Sequence, residues 1–570
     1  MMDVEKTSPT LKNRHNVSVM EDSQPRSSLP SFKNEVLITN DELENITPPP
    51  SYTQDAHRKL KARHIQLIGI GGTIGTALFV QIGTALVKGG PGSLFLGFTL
   101  WCFPILAITA STAEMVSYLP ISSPFVSLAG RCVDEAFEVM AGWNFFLFEA
   151  ALIPFEITAV NVILHFWADN YSPAIPLAIQ IVLYGLINIF AVKWYGESEY
   201  WLSLGKVILA VGLIFFTFIT MVGGNPQHHA YGFTYWKNPG AFAEFNATGS
   251  WGEFLGFFAC LSQAAFTIAG PDYVSMAAGE TENPRKVMPK AFKAVFYRLT
   301  CFFVIGALCV GIVVPYNDPT LLAAIKDGAP GAAASPYVIA MQHLGIGVLP
   351  HIVNGLILTA AFSAGNSYTF CASRTLYGLA LAGHAPKIFS RCTKRGVPIY
   401  AVLLTLCASL LAFLQLGETA QTVLDWIVNL VTASQLINFC VLCTTYLCFQ
   451  RALKAQGISR DTLPFKSWGQ PYTAIFGLVC PFIMMFLAGY PVFLNWNTPT
   501  FLFSYLMIPF NVVVFLGWKF FKKTKIRRPE EVDLTSGLKE ILDHGEWFEE
   551  QEDQRYKPWY ERVVKSILGC

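Results

Sequence analysis

Two apolar segments of this chain are each broken near the middle, and no other feature constrains its fold as strongly. Ile65 to Phe79 reads IQLIGIGGTIGTALF, an apolar run interrupted by Gly71, Gly72 and Gly75. Leu255 to Ala277 is interrupted in the same way at Gly270–Pro271. Each break leaves backbone N–H and C=O groups without helical partners. Such groups are costly in hydrocarbon, so irregular backbone persists at membrane depth only around a protein-lined cavity. Breaks in corresponding halves of a membrane chain mark a central binding site. The pattern implies a carrier for a small polar solute.

The remainder of the chain suits a bilayer. Of its 570 residues 53% are apolar and 14% charged, too apolar for a soluble domain. About 20 apolar residues cross a bilayer. Twelve segments of that kind lie near 65–85, 93–118, 138–167, 174–193, 201–222, 253–277, 296–315, 342–372, 398–416, 422–449, 472–492 and 500–520. The thirteen cysteines, Cys102, Cys260, Cys301, Cys309, Cys440 and Cys443 among them, lie mostly in these spans. Their spacing suits neither a metal site nor a disulfide framework, so they read as small core hydrophobes. No metal and no cofactor is expected. Residues 1–60 are polar and rich in Ser, Pro and Asn, which predicts a disordered cytosolic tail. Residues 61–522 form the expected transporter domain and 523–570 a second cytosolic tail.

Basic residues set the orientation. Arg285, Lys286, Lys290, Lys293 and Arg298 follow span six; Lys387, Arg391, Lys394 and Arg395 follow span eight. Arg451, Lys454, Arg460 and Lys466 follow span ten, and the chain leaves span twelve as KFFKKTKIRR. The opposite loops offer Lys237 and Lys326 and little else. This positive-inside bias predicts that both termini are cytosolic. It also makes Asn246-Ala-Thr248 an extracellular sequon, glycosylated or bare. The breaks fall in spans one and six, five spans apart. An odd count turns the second repeat upside-down, which predicts an inverted five-plus-five repeat with spans eleven and twelve added.

The residues also carry a resemblance. KARHIQLIGIGGTIGTALFV at 61–80, AEMVSYLP at 113–120, AGWNFF at 141–146, Glu156, AAGETENPRKVMPKA at 277–291, SAGNSYTFCASRTLYGLA at 363–380 and FQRALKAQGISRDTLPFKSWGQPY at 449–472 resemble the fungal amino acid permeases. These form the yeast amino acid transporter family of the amino acid–polyamine–organocation superfamily. The resemblance spans roughly residues 55–530. It implies an all-α plasma-membrane symporter with a leucine-transporter-like fold and discontinuous helices 1 and 6. Such a protein imports amino acids with protons and is not an enzyme.

Physical chemistry suggests roles for individual residues. N–H groups of Gly71, Gly72, Thr73, Ile74 and Gly75 at the first break suit a substrate carboxylate. The same glycines would also let helices pack closely. At the second break, the carbonyls of Ile268, Ala269 and Gly270 suit a substrate ammonium. The resemblance places Phe266 as an aromatic lid; core packing is the alternative. Asp272, in Gly-Pro-Asp, stands where the family usually has Gly-Thr-Glu, Asn438 where many relatives have tryptophan, and Ala77 where glycine is usual. Lys206 matches a lysine whose ammonium stands in for sodium in related carriers, or else its long stem snorkels to the cytosolic interface. Glu156, deep in span three, matches a family glutamate and is the candidate for proton binding or ammonium contact. Glu149, two helical turns before it, reads as a satisfied bundle residue, and Glu114 is placed to pair with a basic group near the inner gate. Ser363, Asn366 and Ser367 line the pathway or bond neighbouring helices. Asp272 and Asn438 are further pathway candidates.

Other functions are less well served. A channel needs a continuous polar pore, and an enzyme needs a constellation that is not apparent. A carnitine or polyamine permease of this fold and a transporter-like nutrient sensor remain open alternatives. The expected partners are the amino acid, the proton and the lipid bilayer, and no nucleic acid. In the tails, Lys6, Lys12 and Lys33 are candidate ubiquitin acceptors, and GEWFEEQED at 545–553 a candidate contact for ubiquitin-ligase adaptors or simply solvated surface. Cys570 is a candidate for palmitoylation.

Overall fold

The computed structural model describes residues 65, 75–121, 123–168, 170–190, 192–326, 335–393 and 396–554. The expected N-terminal tail, Gly71 to Ile74, Lys394, Arg395 and Cys570 lie outside the described residues. The described residues are helical and form no β-strand. The described residues up to Phe548 belong to one compact unit.

Among the described residues eight helices are long and apolar enough to cross a membrane, or nine if a bent pair counts as one span. The first, α1 (Ala77–Tyr118), opens with a π-helical turn at Ala77–Gln81. It bends at Gly90, whose φ of 78° is left-handed, just before Pro91. Two of the expected segments therefore meet in α1, and Gly90 separates them. A short amphipathic helix, α2 (Pro124–Cys132), leads into α3 (Glu135–Leu164). Next come α4 (Ala174–Phe190) and α5 (Val192–Met221). The second broken span consists of α6 (Gly249–Thr267) and α7 (Asp272–Met276). Then follow α8 (Pro284–Val313), α9 (Leu349–Leu381), α10 (Ile399–Leu416), α11 (Ala420–Ala455) and α12 (Tyr472–Leu494). The bent pair is α13 (Thr498–Tyr505) and α14 (Met507–Lys522), at 45°. The chain ends its described part in α15 (Leu538–Gln554).

The count is below twelve for identifiable reasons. Helix α4 is apolar but has only 17 residues. Helix α9 is long, at 33 residues, but Ser363, Asn366, Ser367, Thr369 and Ser373 dilute its apolar character.

Local chemistry explains where the helices stop. Asp134 caps α3, accepting a hydrogen bond from the Ala136 N–H. Gly383 and Gly457 end α9 and α11 in the left-handed conformation, with φ of 80° and 71°. After each, the next N–H reaches back to a carbonyl five residues earlier: His384 to Leu379 at 2.8 Å and Ile458 to Leu453 at 2.9 Å.

Helix α3 lies at the centre of the bundle, packed chiefly on α9 and α11. The two broken spans are pressed together through α1 and α6. A side chain on Gly89 would strike the Cys260 thiol and the Gly256 carbonyl, and one on Gly256 would strike the Lys88 carbonyl. Small residues thus set the spacing of these helices, as in membrane helix pairs generally.

A separate apolar cluster closes the end of the bundle that carries the basic loops. It joins Met115 and Leu119 to Met288, Phe292, Tyr446 and Phe449, and it includes Val532 and Leu534. The segment after α14 is therefore docked rather than free-standing. Arg527 Nε donates to the Gly130 carbonyl at 3.0 Å, Arg131 Nη1 to Ser536 O at 3.0 Å, and Gln456 Nε2 to Val532 O at 2.7 Å. Lys519 and Thr524 bond the Asp134 carboxylate at 2.6 and 3.1 Å. Burial alone would raise the pKa of Asp134, but these donors outweigh it and hold the carboxyl below the ordinary aspartate range.

Candidate functional site

Described residues at the edges of both expected breaks line one cavity. Its walls include Gly75 from the first break, Phe266, Thr267 and Ala269 from the second, and Glu156 from α3. Tyr273, Tyr368 and Gln435 complete the polar part of the lining. The cavity measures about 30 Å³, enough for a water or two and too little for an amino acid.

The first break is tied to Glu156. Thr76 Oγ1 donates to Glu156 Oε2 at 2.8 Å, a buried contact between residues 80 positions apart. Gly75 lies so close that a Cβ there would collide with the Glu156 carboxylate. Glycine is needed here because the carboxylate takes the space. Gly71, Gly72, Thr73 and Ile74, the expected carboxylate cradle, lie outside the described residues.

At the second break α6 ends at Thr267, and helix resumes at Asp272. Ile268 caps α6 in an extended conformation, with its N–H on the Ala264 carbonyl at 2.9 Å. Gly270 abuts the Phe439 ring, which leaves no room for a side chain. Phe266 is 5% exposed and packs edge-on against Phe155, with ring centroids 5.2 Å apart. It belongs at once to the cavity wall and to the core.

The Ala269 carbonyl already has a donor, Arg298 Nη2 at 3.2 Å. Arg298 was expected in the basic loop after span six. It is instead 3% exposed on α8, where it faces Asp272 electrostatically. Asp272 is also buried, at 1% exposed. Glu149 is fully buried and lies against Tyr273 and Asp272.

Lys206 does not snorkel. It is 1% exposed, with Nζ 3.8 Å from Glu199 Oε1, and it also interacts electrostatically with Glu156. Glu199 is 5% exposed, though its sequence context, GESEYW, suggests the edge of a polar loop. Ser363 Oγ donates to Glu199 at 2.9 Å, so this α9 hydroxyl serves the α5 carboxylate and does not line the cavity.

Two further candidates, Asn366 and Asn438, bond neighbouring helices. Asn366 Oδ1 accepts from Asn188 Nδ2 at 2.9 Å. Asn438 Oδ1 accepts from Asn144 Nδ2 at 2.7 Å, in a network with Ser434 and Asn511. Neither residue lines the cavity. Glu114 has the expected basic partner: Arg460 grips it at 2.7 and 2.8 Å, and Ser467 adds bonds from N at 2.9 Å and Oγ at 2.6 Å.

An all-helical bundle of apolar spans, with helix interrupted between Thr267 and Asp272 beside a small cavity that holds a buried carboxylate, is the architecture of a solute carrier. Comparison with known proteins agrees. Residues 64–530 match the model of the amino acid permease family. The general amino acid permease AGP2 of Saccharomyces cerevisiae is 57% identical over 502 residues, 86% of this chain and 84% of its own length. A proline-specific permease of Emericella nidulans is 39% identical over 511 residues, 89% of this chain and 92% of its own. A lysine-specific permease of Saccharomyces cerevisiae is 35% identical over 512 residues, 89% of this chain and 82% of its own. The chain belongs to the amino acid permease family. It is a multi-pass membrane protein of a family of transporters, not of enzymes.

Proposed function

We propose that this protein imports amino acids across the plasma membrane by proton symport. The observation that carries the reading is that residues at the edges of both expected breaks line one cavity with Glu156. Backbone donors at the first break, Gly71 to Gly75, bind the substrate carboxylate. Carbonyls at the second, Ile268 to Gly270, receive its ammonium, with Phe266 as the lid. Glu156 and Lys206 form the proton-coupling pair, which suits two opposite charges buried within electrostatic reach. The relatives' names, a general amino acid permease and proline- and lysine-specific permeases, support an amino acid as substrate.

Twelve spans in an inverted five-plus-five repeat with two added helices, and both termini cytosolic, complete the arrangement. The basic loops and the helices over the short fourth and polar eighth segments support it. The field can drive the cycle: one charge moved through 100 mV is worth about 2.3 kcal/mol, or roughly fortyfold in concentration.

The test is uptake of labelled neutral, acidic and basic amino acids, proline, carnitine and spermidine in cells lacking their own permeases, at acid and neutral pH. Acid-stimulated uptake of an amino acid group is expected. Uptake of carnitine or spermidine alone would replace the substrate class. No uptake from protein shown to be at the surface would leave a nutrient sensor as the better reading.

A further inference from the structure

Glu199, Ser203 and Lys206 sit at positions i, i+4 and i+7 of α5 and so share one face of the helix. Glu199 lies about two turns nearer the start of α5 than Lys206, roughly 10 Å along the axis. Their side chains nevertheless close to 3.8 Å, and both are buried. Ser203 Oγ lies 3.4 Å from Glu199 Oε1, and Ser363 Oγ on α9 lies 3.1 and 2.9 Å from its two oxygens. Tyr368 of α9 also faces this carboxylate, as it faces Glu156 and Glu149. One ammonium therefore pairs with Glu199 and lies within electrostatic reach of Glu156. Glu156 on α3 is bound to the first helix break through Thr76, and Glu199 is bound to α9 through Ser363.

This arrangement has a consequence for a cycle in which Glu156 gains and loses a proton. An unpaired buried ammonium costs several kcal/mol. When Glu156 is ionised, Lys206 has two counter-charges; when Glu156 takes a proton, Glu199 supplies the negative charge. We infer that Glu199 is a positioning residue of the coupling site, which holds Lys206 against α9 while Glu156 is protonated. The arrival of a proton at the first break is thereby felt at the contact between α5 and α9. This rests on the symport reading above and adds a third charge to its coupling pair. Glu199 does not line the cavity.

The test uses the full-length chain with Glu199→Gln, Glu199→Asp and Ser363→Ala, each compared at matched surface amounts. The probe is labelled proline, or whichever amino acid of the panel the unmutated chain accumulates. Two modes are read: concentrative uptake at acid pH, and exchange of internal for external substrate without a proton gradient. Exchange tests binding and opening but needs no net proton movement. Glu199→Gln is expected to lower accumulation by about tenfold, within the usual range of coupling between two sites, while exchange persists. Glu199→Asp restores part of the accumulation, and Ser363→Ala shows a milder form of the defect. Unchanged accumulation in Glu199→Gln, or equal loss of both modes from surface-expressed protein, overturns the inference and leaves symport standing. If the unmutated chain accumulates none of the panel, the symport reading fails and this inference with it.

Discussion

Thr76 and Glu156 meet across 2.8 Å at the point where the first helix break gives way to regular structure. The contact joins α3, the central helix of the bundle, to the broken span. It also fixes the neighbour: Gly75 leaves only enough room for the carboxylate. Gly75→Ala is expected to push Glu156 out of place at a cost of about 1–3 kcal/mol, the usual scale of overpacking. The expected result is surface-expressed protein with little uptake. Normal uptake in that variant, measured beside the unmutated chain, would show that the contact is dispensable.

The Glu114–Arg460 pair is a stability element. Glu114 is fully buried and takes four hydrogen bonds from two residues in the loop after α11. Removing one member of a buried pair strands its partner, at about 3–5 kcal/mol. Glu114→Ala should therefore melt well below the unmutated protein in detergent. Arg460→Ala should cost less, because the Arg460 side chain is 22% exposed and water can replace part of what it loses. Equal melting temperatures in all three proteins would refute the assignment.

Asp134 predicts an acid limb. Its carboxyl is held below the ordinary aspartate value in the folded protein by Lys519 and Thr524, which overcome the effect of burial. A depressed folded pKa adds stability above the unfolded value, about 3.9, and loses it as pH falls through the lower folded value. Asp134→Asn should lower the melting temperature near neutral pH and narrow its gap to the unmutated protein below about pH 4. A gap that is constant with pH would mean the ion pair contributes nothing.

Much of this site was legible in the sequence because the signals were local. Three glycines in GGTIG and the Gly270–Pro271 step mark the two expected breaks, and a lone glutamate in IPFEITAVN marks Glu156. Glu114 called for a basic partner because a carboxylate in an apolar span needs one. What escaped was long-range or disguised. Glu199 looks like loop polarity in GESEYW, and Arg298 counts toward the positive-inside bias like any loop arginine. Only the packing of α8 against the second break buries Arg298 beside Asp272. Asn438 seemed a pathway residue because nothing in LINF reveals Asn144, 294 positions away. Helix count suffered likewise: the polar residues that make α9 useful also hide it from a hydropathy threshold.

The central claim is that a proton on Glu156 drives solute inward, and one measurement addresses it most directly. Substrate-dependent current and labelled uptake should be recorded together, without sodium and under a clamped potential, for the unmutated chain and Glu156→Gln. The account predicts an inward current that grows as external pH falls in the unmutated chain. In Glu156→Gln it predicts no acid stimulation, with accumulation reduced by as much as about fortyfold. Equal uptake with and without a proton gradient in the unmutated chain, or undiminished acid stimulation in Glu156→Gln, would contradict it.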